Sequence, residues 1–347
     1  MRYARLVAPR TLEMVESPNP TALPGQVVVE IEACGVGGSD RRAWEAGSSL
    51  SPAWFGHEWT GRVVACGPQV TERFEGQRVV AGVSTACGQC VACRRGRYIN
   101  CHVVLEQIVG LDELSADHGG FATHIVADAR RVVPLDEAIS FRAGALIEPA
   151  AVAAHAVWRS DLQFGDVVVV IGSGTVGLLA SELARIAGAA RVVSVDTSVV
   201  RNELACDLGA DAAFEAVDDS LRAWVDDHTD SFGADVVFNC VDTADALTSG
   251  LPLVCSGGTI VAVGVGNSID NLSVTSLLQR EADFRVSLGY SAHDIDRVQE
   301  LIREDRLRVS PLIQSESVCG LDDLAAVFDT GAQPSLGPPK VLVEPRL

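Results

Sequence analysis

The stretch at residues 167–196 constrains the fold of this chain more than any other part of the sequence. It opens with five β-branched residues in a row, Val167 to Ile171, which predict a strand buried on both faces. The hexapeptide GSGTVG follows, and helical spacing continues from Leu178 to Ala187. A second strand is predicted at Arg191–Val195. This order of strand, glycine turn, helix and strand predicts a nucleotide-binding βαβ unit.

The residues of the glycine turn have separate roles in such a unit. Gly172 permits the tight bend, Gly174 lets the backbone approach a pyrophosphate, and Gly177 lets the helix pack close to the strand. Thr175 and Val176 come at the helix N-terminus, where unpaired N–H groups and about half a positive charge favour an anion. We therefore expect these five residues to bind the pyrophosphate of a dinucleotide.

The residues after the second strand bear on the choice of cofactor. Asp196 follows the turn by about 20 residues, where a carboxylate accepts both ribose hydroxyls and would repel a 2′-phosphate. Thr197 and Ser198 place no positive charge beside it. NAD(H) is therefore the expected cofactor. Arg201, which could bind adenine or a phosphate, keeps NADP open.

The charge balance excludes several classes of partner. The 347 residues carry a net charge of −19, so long-range repulsion disfavours binding to nucleic acid or to an anionic membrane. No uninterrupted apolar run approaches about 18 residues, and the N-terminus MRYARLVAPR lacks the apolar core of a signal peptide. We expect a soluble, cytoplasmic protein that acts on a small-molecule substrate. In that setting the ten cysteines indicate metal binding or buried thiols and not disulfides.

The pattern of predicted strands and helices indicates an α/β fold with two domains. Residues 1–150 show many short strands with glycine turns, which predict a partly open β-barrel. Residues 151–291 alternate strands and helices, which predicts a doubly wound parallel sheet with its ligand at the carboxyl ends of the strands. Residues 292–347, with a helix at Ile295–Glu304 and a closing strand at Lys340–Val343, are expected to return to the first domain.

The same patterns predict the remaining elements. Cys34 to Asp40 is too rich in glycine for a regular element and is expected to be a turn into a short helix near Arg41–Glu45. Other strands are expected at Val27–Ala33, Gly61–Ala65, Gly76–Ala81, Ala212–Phe214, Ala234–Asn239, Thr259–Val263 and Arg285–Leu288. Other helices are expected at Ser220–His228 and Ala244–Leu253.

Four cysteines, Cys87, Cys90, Cys93 and Cys101, form a lobe with the spacing of a metal site. Four thiolates at this spacing can close a tetrahedron around zinc, with sulfur at roughly 2.3 Å and no open position. The same spacing could hold an iron–sulfur cluster, or the cysteines could be free thiols. A structural zinc is the reading we expect, and a closed site of this kind supports folding and not catalysis.

With these motifs the chain resembles the medium-chain, zinc-type alcohol dehydrogenases over nearly its whole length. The resemblance is carried by Cys34-Gly35-Val36-x-Gly38-Ser39-Asp40, Gly56-His57-Glu58, the lobe at 87–101, Gly119-Gly120-Phe121-Ala122, Glu148-Pro149, the turn at 172–177 and Lys340-Val341-Leu342-Val343. The motif Glu148-Pro149 resembles that of the sorbitol and threonine dehydrogenase branch, in which a glutamate replaces the second ligand cysteine of classical alcohol dehydrogenases. The resemblance implies a GroES-like catalytic domain containing the zinc lobe, a Rossmann NAD(P)-binding domain, a cleft between them, and a homodimer or homotetramer.

One departure from the family bears on its chemistry. The family places the first ligand of its catalytic zinc, a cysteine, at the position held here by Gly37, and many relatives carry a relay histidine where this chain has Arg42. His57, Glu58 and Glu148 remain, and all three are acceptable zinc ligands. Geometry argues against His57 and Glu58 acting together, because neighbouring side chains on an extended segment point apart. A catalytic zinc on these three residues and an active site without zinc both stay open.

Three functions are therefore considered. With zinc, Ser39 would take the proton of a substrate hydroxyl while hydride passes to the cofactor, so that a polyol, cyclitol or sugar-like secondary alcohol becomes a ketone. Ser39, His57, Glu58 and Glu148 are then the catalytic residues. Without zinc, the same cleft would reduce a conjugated C=C bond or an imine with NAD(P)H, and Ser39, His57 or Tyr290 would supply the proton. The third function is nucleotide binding without turnover.

The other candidates are expected to play lesser roles. Trp44, Trp54, Phe55, Leu105 and Tyr290 are candidates for lining the substrate cleft. The histidines without ligand spacing are expected to be ordinary: His102, His118, His124, His155, His228 and His293. The scattered cysteines are expected to be buried: Cys66, Cys206, Cys240, Cys255 and Cys319.

Overall fold

A computed structural model describes residues 1–48, 52–82, 86–108, 117–243, 248–264, 273–330 and 339–347. The strands in chain order are β1 Arg2–Ala8, β2 Thr11–Glu16, β3 Gln26–Val36, β4 Glu58–Cys66, β5 Arg78–Ala81, β6 His124–Asp128, β7 Val132–Pro134, β8 Val167–Ile171, β9 Arg191–Val195, β10 Ala212–Phe214, β11 Ala234–Asn239, β12 Val254–Ala262, β13 Asp283–Val286, β14 Ile313–Cys319 and β15 Lys340–Val343. The α-helices of the described residues with assigned bounds are α1 Gly38–Ala46, α2 Val91–Arg94, α3 His102–Ile108, α4 Phe141–Gly144, α5 Ile147–Arg159, α6 Thr175–Ala187, α7 Val199–Asp207, α8 Asp219–His228, α9 Val274–Arg280, α10 Ala292–Arg303 and α11 Leu324–Thr330.

One sheet forms the barrel half of the molecule. Its strand order is β14-β15-β3-β4-β5-β7, with β6 paired to β3. The alternating apolar residues of β3 and β4 face a core with the aromatic side chains of Trp44, Phe55, Phe121 and Phe328. The chain returns to this sheet at its end, because β15 pairs antiparallel with β3 and sets Val341 opposite Val36. That pairing brings the C-terminal strand to the end of β3 at which the site is built.

The second sheet is parallel and has the order β10-β9-β8-β11-β12-β13. All five residues of β8 are buried, as the apolar run predicts. The chain leaves β8 toward β9 on one side and returns with β11 on the other, so the direction of winding reverses between β8 and β11. Ligands of such sheets bind in the crevice at the carboxyl ends of the strands at this reversal. The predicted doubly wound sheet is confirmed.

Helix α5 joins the two halves. It packs closely against α6 and α10 because its buried side chains are small. These side chains are Ala150, Ala151, Ala153, Ala154 and Ala156. Across the contact with α10, Nδ1 of His155 lies 3.0 Å from Oδ2 of Asp294. The expected domain boundary at residue 150 falls inside α5. We propose instead a boundary just before Ile147, which would leave every helix whole.

The glycine-rich segment at 34–40 differs from the expectation. Cys34, Gly35 and Val36 are not a turn but the last residues of β3, paired with β15 on one side and, up to Gly35, with β4 on the other. Partners on both sides satisfy the backbone groups that glycine would otherwise leave free to bend. Helix α1 then begins at Gly38, ahead of the predicted Arg41, because the carboxylate of Asp40 accepts the N–H of Gly37 at 2.8 Å.

Other expectations were wrong in detail. Trp44 and Phe55 do not line a cleft: they are 1% and 4% exposed and belong to the aromatic core of the barrel. Cys206 is exposed and not buried, because its position on α7 faces away from the sheet. The expected helix at 244–253 lies partly outside the described residues, and residues 248–250 are helical. Among the described helices, none is long and apolar enough to cross a membrane.

Candidate active site

His57 is placed by the bend that precedes β4. Gly56 has φ +82°, a left-handed conformation that suits glycine, so His57 does not continue the strand that Glu58 begins. Nδ1 of His57 lies 2.9 Å from the carbonyl oxygen of Trp54, which can only accept. In the neutral ring Nδ1 therefore carries the proton, and the lone pair of Nε2 faces Oε1 of Glu148 at 4.0 Å.

The carboxylate of Glu58 lies across the end of β3. Gly35 pairs with Glu58, and a Cβ on Gly35 would come within 2.0 Å of Oε2 of Glu58. A Cβ on Gly37 would lie 2.9 Å from Oε1 of the same carboxylate. A side chain at position 37 would therefore point at the carboxylate of Glu58. The two bare glycines leave the room that this carboxylate occupies.

Glu148 reaches the site from the first turn of α5 and is buried. Burial raises the pKa of Glu148 to about 7, and the nearby Glu58 adds to the rise, whereas His57, Lys340 and a hydrogen bond from the Tyr290 hydroxyl oppose it. Burial opposes a charge on His57, but Glu148 and Asp40 outweigh that effect and raise the pKa of His57 to about 10. Metal binding would therefore displace a proton from His57.

The three sequence candidates for a metal come together. One ligand atom from each of His57, Glu58 and Glu148 lies within 4.8 Å of the other two. The expectation that His57 and Glu58 point apart was wrong: their ligand atoms approach each other, and His57 lies before the strand that Glu58 begins, so the two are not successive residues of one strand. The set offers one imidazole nitrogen and two carboxylates, which are acceptable zinc ligands and together carry two negative charges.

Ser39 and Asp40 flank this cluster from α1. Ser39 is half-buried, and its Oγ lies 3.5 Å from the place that a Cβ on Gly37 would take. Asp40 is 1% exposed; its two oxygens accept the N–H groups of Gly37 and Gly56, each at 2.8 Å. Asp40 thus joins the start of α1 to the bend at Gly56, which comes directly before the candidate ligands His57 and Glu58.

Sequence reasoning missed Lys340 as a site residue. Its Nζ donates to Oε2 of Glu58 at 2.5 Å and to the carbonyl oxygen of Val36 at 3.1 Å. Lys340 stands at the start of β15, and the preceding Pro339 accepts a 2.5 Å hydrogen bond from Oγ of Thr175 in the dinucleotide turn. The signal in the sequence is that Lys340 is the only lysine of the chain.

Arg42 also has a partner that the sequence did not predict. Its guanidinium lies 2.6 Å from Oδ2 of Asp242, which follows the carboxyl end of β11. The pair joins α1 of the barrel half to the edge of the parallel sheet where ligands bind. At the position where many relatives carry a relay histidine, this chain has an ion pair between its two halves.

The turn at 172–177 has the geometry of a phosphate cradle. Gly172 has φ +97°, and a Cβ on Gly177 would lie 1.7 Å from the carbonyl oxygen of Gly172, so neither position accepts a side chain. A Cβ on Gly174 would meet nothing within 4 Å among the described residues, which leaves open space beside the N-terminus of α6. Thr175 and Val176 form the first turn of α6, with the helix dipole directed at that space.

Asp196 lies at the carboxyl end of β9. Its Oδ2 accepts the N–H of Ser173 at 2.8 Å, and its Oδ1 accepts that of Ser198 at 2.9 Å. Each oxygen keeps a second lone pair for a ribose hydroxyl. Nη1 of Arg201 lies 3.9 Å from Oδ2 of Asp196, so the cation that could favour a 2′-phosphate is already beside a carboxylate. The residues present fit a dinucleotide.

The cysteine lobe converges as expected. One sulfur from each of Cys87, Cys90, Cys93 and Cys101 lies within 4.8 Å of the other three. The N–H of Cys93 lowers the pKa of Cys90 to about 5, although its burial acts in the opposite direction. His102, expected to be ordinary, is near Cys90, and its interaction with that sulfur raises the pKa of the imidazole. Four converging sulfurs with N–H donors fit a tetrahedral metal ion and leave it no open position.

Comparisons with known proteins agree with this geometry. Residues 23–137 match the alcohol dehydrogenase GroES-like domain, and residues 175–304 match the zinc-binding dehydrogenase family. A probable D-xylulose reductase A of Aspergillus terreus is 30% identical over 299 residues, which are 84% of this chain and 83% of that protein. A sorbitol dehydrogenase of Halalkalibacterium halodurans is 28% identical, with 87% of each chain covered.

A solved structure extends the likeness to the whole fold. A protein of Sinorhizobium meliloti 1021, described as a zinc-binding dehydrogenase and bound to NADP, superposes with a TM-score of 0.82 at 26% identity, and 99% of each chain is covered. The two family matches fall on the two halves of the molecule, the barrel and the parallel sheet. The chain therefore belongs to the medium-chain, zinc-type alcohol dehydrogenase family, and it is an oxidoreductase whose cofactors are NAD(P) and zinc.

Proposed function

We propose that this enzyme interconverts a polyol or sugar-like secondary alcohol and its ketone with NAD(H), and that His57, Glu58 and Glu148 hold a catalytic zinc. The observation that carries the proposal is the approach of these three ligand atoms to within 4.8 Å of one another. The substrate class is supported by the names of the relatives, a D-xylulose reductase and a sorbitol dehydrogenase. Glu148, the family's alternative to a second cysteine, is consistent with that branch.

The donor set fits a zinc ion. Two buried carboxylates balance its charge, and the neutral imidazole of His57 offers Nε2 toward Glu148. When bound, zinc supplies a Lewis acid that polarises the substrate oxygen and lowers the pKa of the hydroxyl. Oxygen ligands bind zinc less tightly than a thiolate, so we expect a weaker site than one containing cysteine.

The residues of the chain orient this site and handle the proton. The carbonyl oxygen of Trp54 fixes the ring of His57 at 2.9 Å, and the nearby hydroxyl of Tyr290 acts to lower the pKa of Glu148. The hydroxyl of Ser39 is available in the first turn of α1 to take the substrate proton. The ring of Trp54, 5.0 Å from that of His57, offers an apolar wall for the carbon chain of a substrate.

NAD(H) is proposed as the preferred form of the cofactor. The carboxylate of Asp196 would repel a 2′-phosphate, and Arg201 is held beside that carboxylate at 3.9 Å. Dissociation constants for NADH and NADPH, measured by fluorescence titration, test this preference. Tighter binding of NADPH would contradict it.

We also propose that the enzyme is a homodimer or homotetramer. The support, beyond the family resemblance, is that β13 is an edge strand whose neighbourhood exposes apolar side chains. Val286 and Leu288 are 65% and 54% exposed, and Leu278 on α9 is 76% exposed. Light scattering coupled to size-exclusion chromatography tests the state, and a single-chain mass would contradict it.

Metal content per chain is the decisive test of the catalytic site. We expect two zinc ions per chain in protein purified without chelator. Glu148→Gln should lose one zinc and the dehydrogenase activity together. Glu182→Gln is the matched control: Glu182 is also 5% exposed, but it pairs with Arg308 at 2.8 Å and should leave both zinc ions in place.

Three results would contradict the proposed catalytic zinc or the proposed activity. One zinc per chain in the wild type, with NAD(P)H-dependent reduction of a conjugated C=C bond or an imine, would favour an active site without zinc. Full activity of Glu148→Gln with unchanged metal content would contradict the role of Glu148. Tight cofactor binding with no turnover of alcohols, enones or imines would favour a nucleotide-binding protein.

A further inference from the structure

Lys340 is exceptional in both composition and place. The sequence has 27 lysine and arginine residues, and Lys340 is the only lysine among them. Its side chain is fully buried, whereas most arginines of the chain lie at the surface. A lysine is almost never buried without a specific partner, because removing its charge from water is costly.

The partner of Lys340 is a candidate metal ligand. Nζ donates to Oε2 of Glu58 at 2.5 Å and to the carbonyl oxygen of Val36 at 3.1 Å. The oxygen that Lys340 leaves free, Oε1, is the one that lies 2.9 Å from the Cβ position of Gly37. Lys340 thus holds one oxygen of Glu58 and leaves the other for a ligand.

The position of Lys340 is itself fixed from two sides. Its strand β15 pairs with β3, with Val341 opposite Val36. The carbonyl oxygen of Pro339, immediately before it, accepts the hydroxyl of Thr175 at 2.5 Å. The backbone that carries the side chain of Lys340 is therefore held on both sides, and burial leaves its ammonium beside Glu58 and the carbonyl oxygen of Val36.

The charges of the site explain why a lysine is needed there. Glu58 and Glu148 are both buried and each lies near the other, so two negative charges in this space repel and are poorly solvated. A divalent ion would balance both charges. Without that ion, the ring of His57 faces Glu148 at 4.0 Å, and the ammonium of Lys340 is the positive charge in contact with Glu58.

We infer that Lys340 is a positioning residue of the metal site, which fixes Glu58 by one oxygen and acts as its counterion while the site holds no metal. The inference rests on the proposed function, because it takes Glu58 to be a ligand. The metal and the ammonium then share one task, the neutralisation of buried carboxylates. Removing the ammonium makes folding depend more strongly on the metal.

The test compares the thermal unfolding of wild type and Lys340→Met at one and at two zinc ions per chain, with the content set by elemental analysis. Methionine keeps the length and apolar character of the stem and removes the charge. At one zinc per chain we expect the variant to unfold roughly 5–10 °C below the wild type, because an unpaired buried carboxylate is strongly destabilising. The second zinc should raise the Tm of the variant clearly more than that of the wild type.

Two further variants separate this role from packing. Arg78→Met removes another buried cation, one that donates to the carbonyl oxygens of Asp136 and Glu137, and it should leave the zinc-induced rise in Tm as in the wild type. The double variant Lys340→Met/Glu58→Gln removes both charges together, and at one zinc per chain it should recover most of the lost Tm. It also keeps the proposal testable if the single variant does not fold.

The outcomes distinguish the two proposals. A wild type that never holds two zinc ions would contradict the proposed function. If wild type and Lys340→Met both bind two zinc ions and the second ion raises their Tm equally, the role of Lys340 is contradicted. The proposed function would stand. A double variant as unstable as Lys340→Met would show that the lysine acts by packing and would also contradict the inference.

Discussion

Gly37→Cys is the substitution that best tests how this site differs from the rest of its family. Gly37 has φ −95° and ψ 165°, an extended conformation that any residue adopts, so the backbone accepts a side chain without strain. The new Cβ would lie 2.9 Å from Oε1 of Glu58, 3.2 Å from Oδ2 of Asp40 and 3.5 Å from Oγ of Ser39. The side chain would therefore enter the candidate metal site.

The cost in stability can be worked from these distances. Ordinary contact begins at 3.4 Å, so the carboxylate of Glu58 has to move by about 0.5 Å. A displacement of this size costs roughly 0.5–1.5 kcal/mol as an off-rotamer side chain. Replacing glycine also stabilises the folded state by about 0.4–1 kcal/mol, because the unfolded chain of the variant has less conformational entropy. We expect the free energy of unfolding of the metal-free protein to change by less than about 1 kcal/mol.

The gain appears in metal affinity. A thiolate added to an imidazole and two carboxylates supplies a softer ligand and a further negative charge. We expect zinc to bind at least about tenfold more tightly, equivalent to about 1.4 kcal/mol. Competition with a chelator of known affinity measures the change, and Gly37→Ala is the control because it adds the same Cβ without a thiolate.

Two results would refute this reasoning. Equal zinc affinities for Gly37→Cys and Gly37→Ala would mean that a side chain at position 37 does not reach the metal. A loss of more than about 3 kcal/mol of unfolding free energy in both variants, measured in denaturant, would mean that the carboxylate of Glu58 cannot move to make room for the new Cβ.

Three further predictions concern other parts of the molecule. Gly177→Ala should weaken NADH binding at least about tenfold in fluorescence titrations, since its Cβ would lie 1.7 Å from the carbonyl oxygen of Gly172 and the helix would have to shift. Cys101→Ser should lose the zinc of the lobe and lower the Tm while the second zinc is retained, as elemental analysis would show; loss of both ions would contradict separate sites. Burial opposes ionisation of Asp294, but hydrogen bonds from His155 and the Ser291 backbone outweigh it and lower its pKa. The resulting stability is present above the ordinary pKa of an aspartate and is lost as the pH falls through the lowered value. Asp294→Asn should therefore cost about 1 kcal/mol of unfolding free energy at pH 7, and the difference should disappear in strong acid; a constant difference in denaturation series would contradict the assignment.

Much of the fold could be predicted because its signals are local. The run Val167–Ile171, the strands Arg191–Val195 and Ala234–Asn239, and the cysteine spacing depend on residues close in the chain, and each matches its element in the structure. The end of β3 could not be read in this way. Its glycines favour a turn by themselves, but β15, about 300 residues later, pairs with them and makes a strand.

The candidate site shows the same division. The sequence identified His57, Glu58 and Glu148 as ligand types, and it marked Gly37 as the position of the missing cysteine. It could not show that β4 begins only at Glu58, so that the side chains of His57 and Glu58 approach each other although the residues are neighbours. It gave equally little sign that Lys340 reaches Glu58, because that contact joins residues 282 positions apart.

The sequence by itself determined which chemistry this protein has available: a dinucleotide turn, a four-cysteine lobe and a set of nitrogen and oxygen ligands without the usual thiolate. Spacing along the chain specifies the turn and the lobe because each is formed within one short segment, whereas the resemblance to the family indicated the ligand set. Only the tertiary structure decided how the ligands are used. The approach of Glu58 to position 37, its pairing with Lys340 and the ion pair between Arg42 and Asp242 all depend on distant segments meeting at the cleft. The physical reason is that charge and room in a buried site are set by everything packed around it, which local sequence does not record.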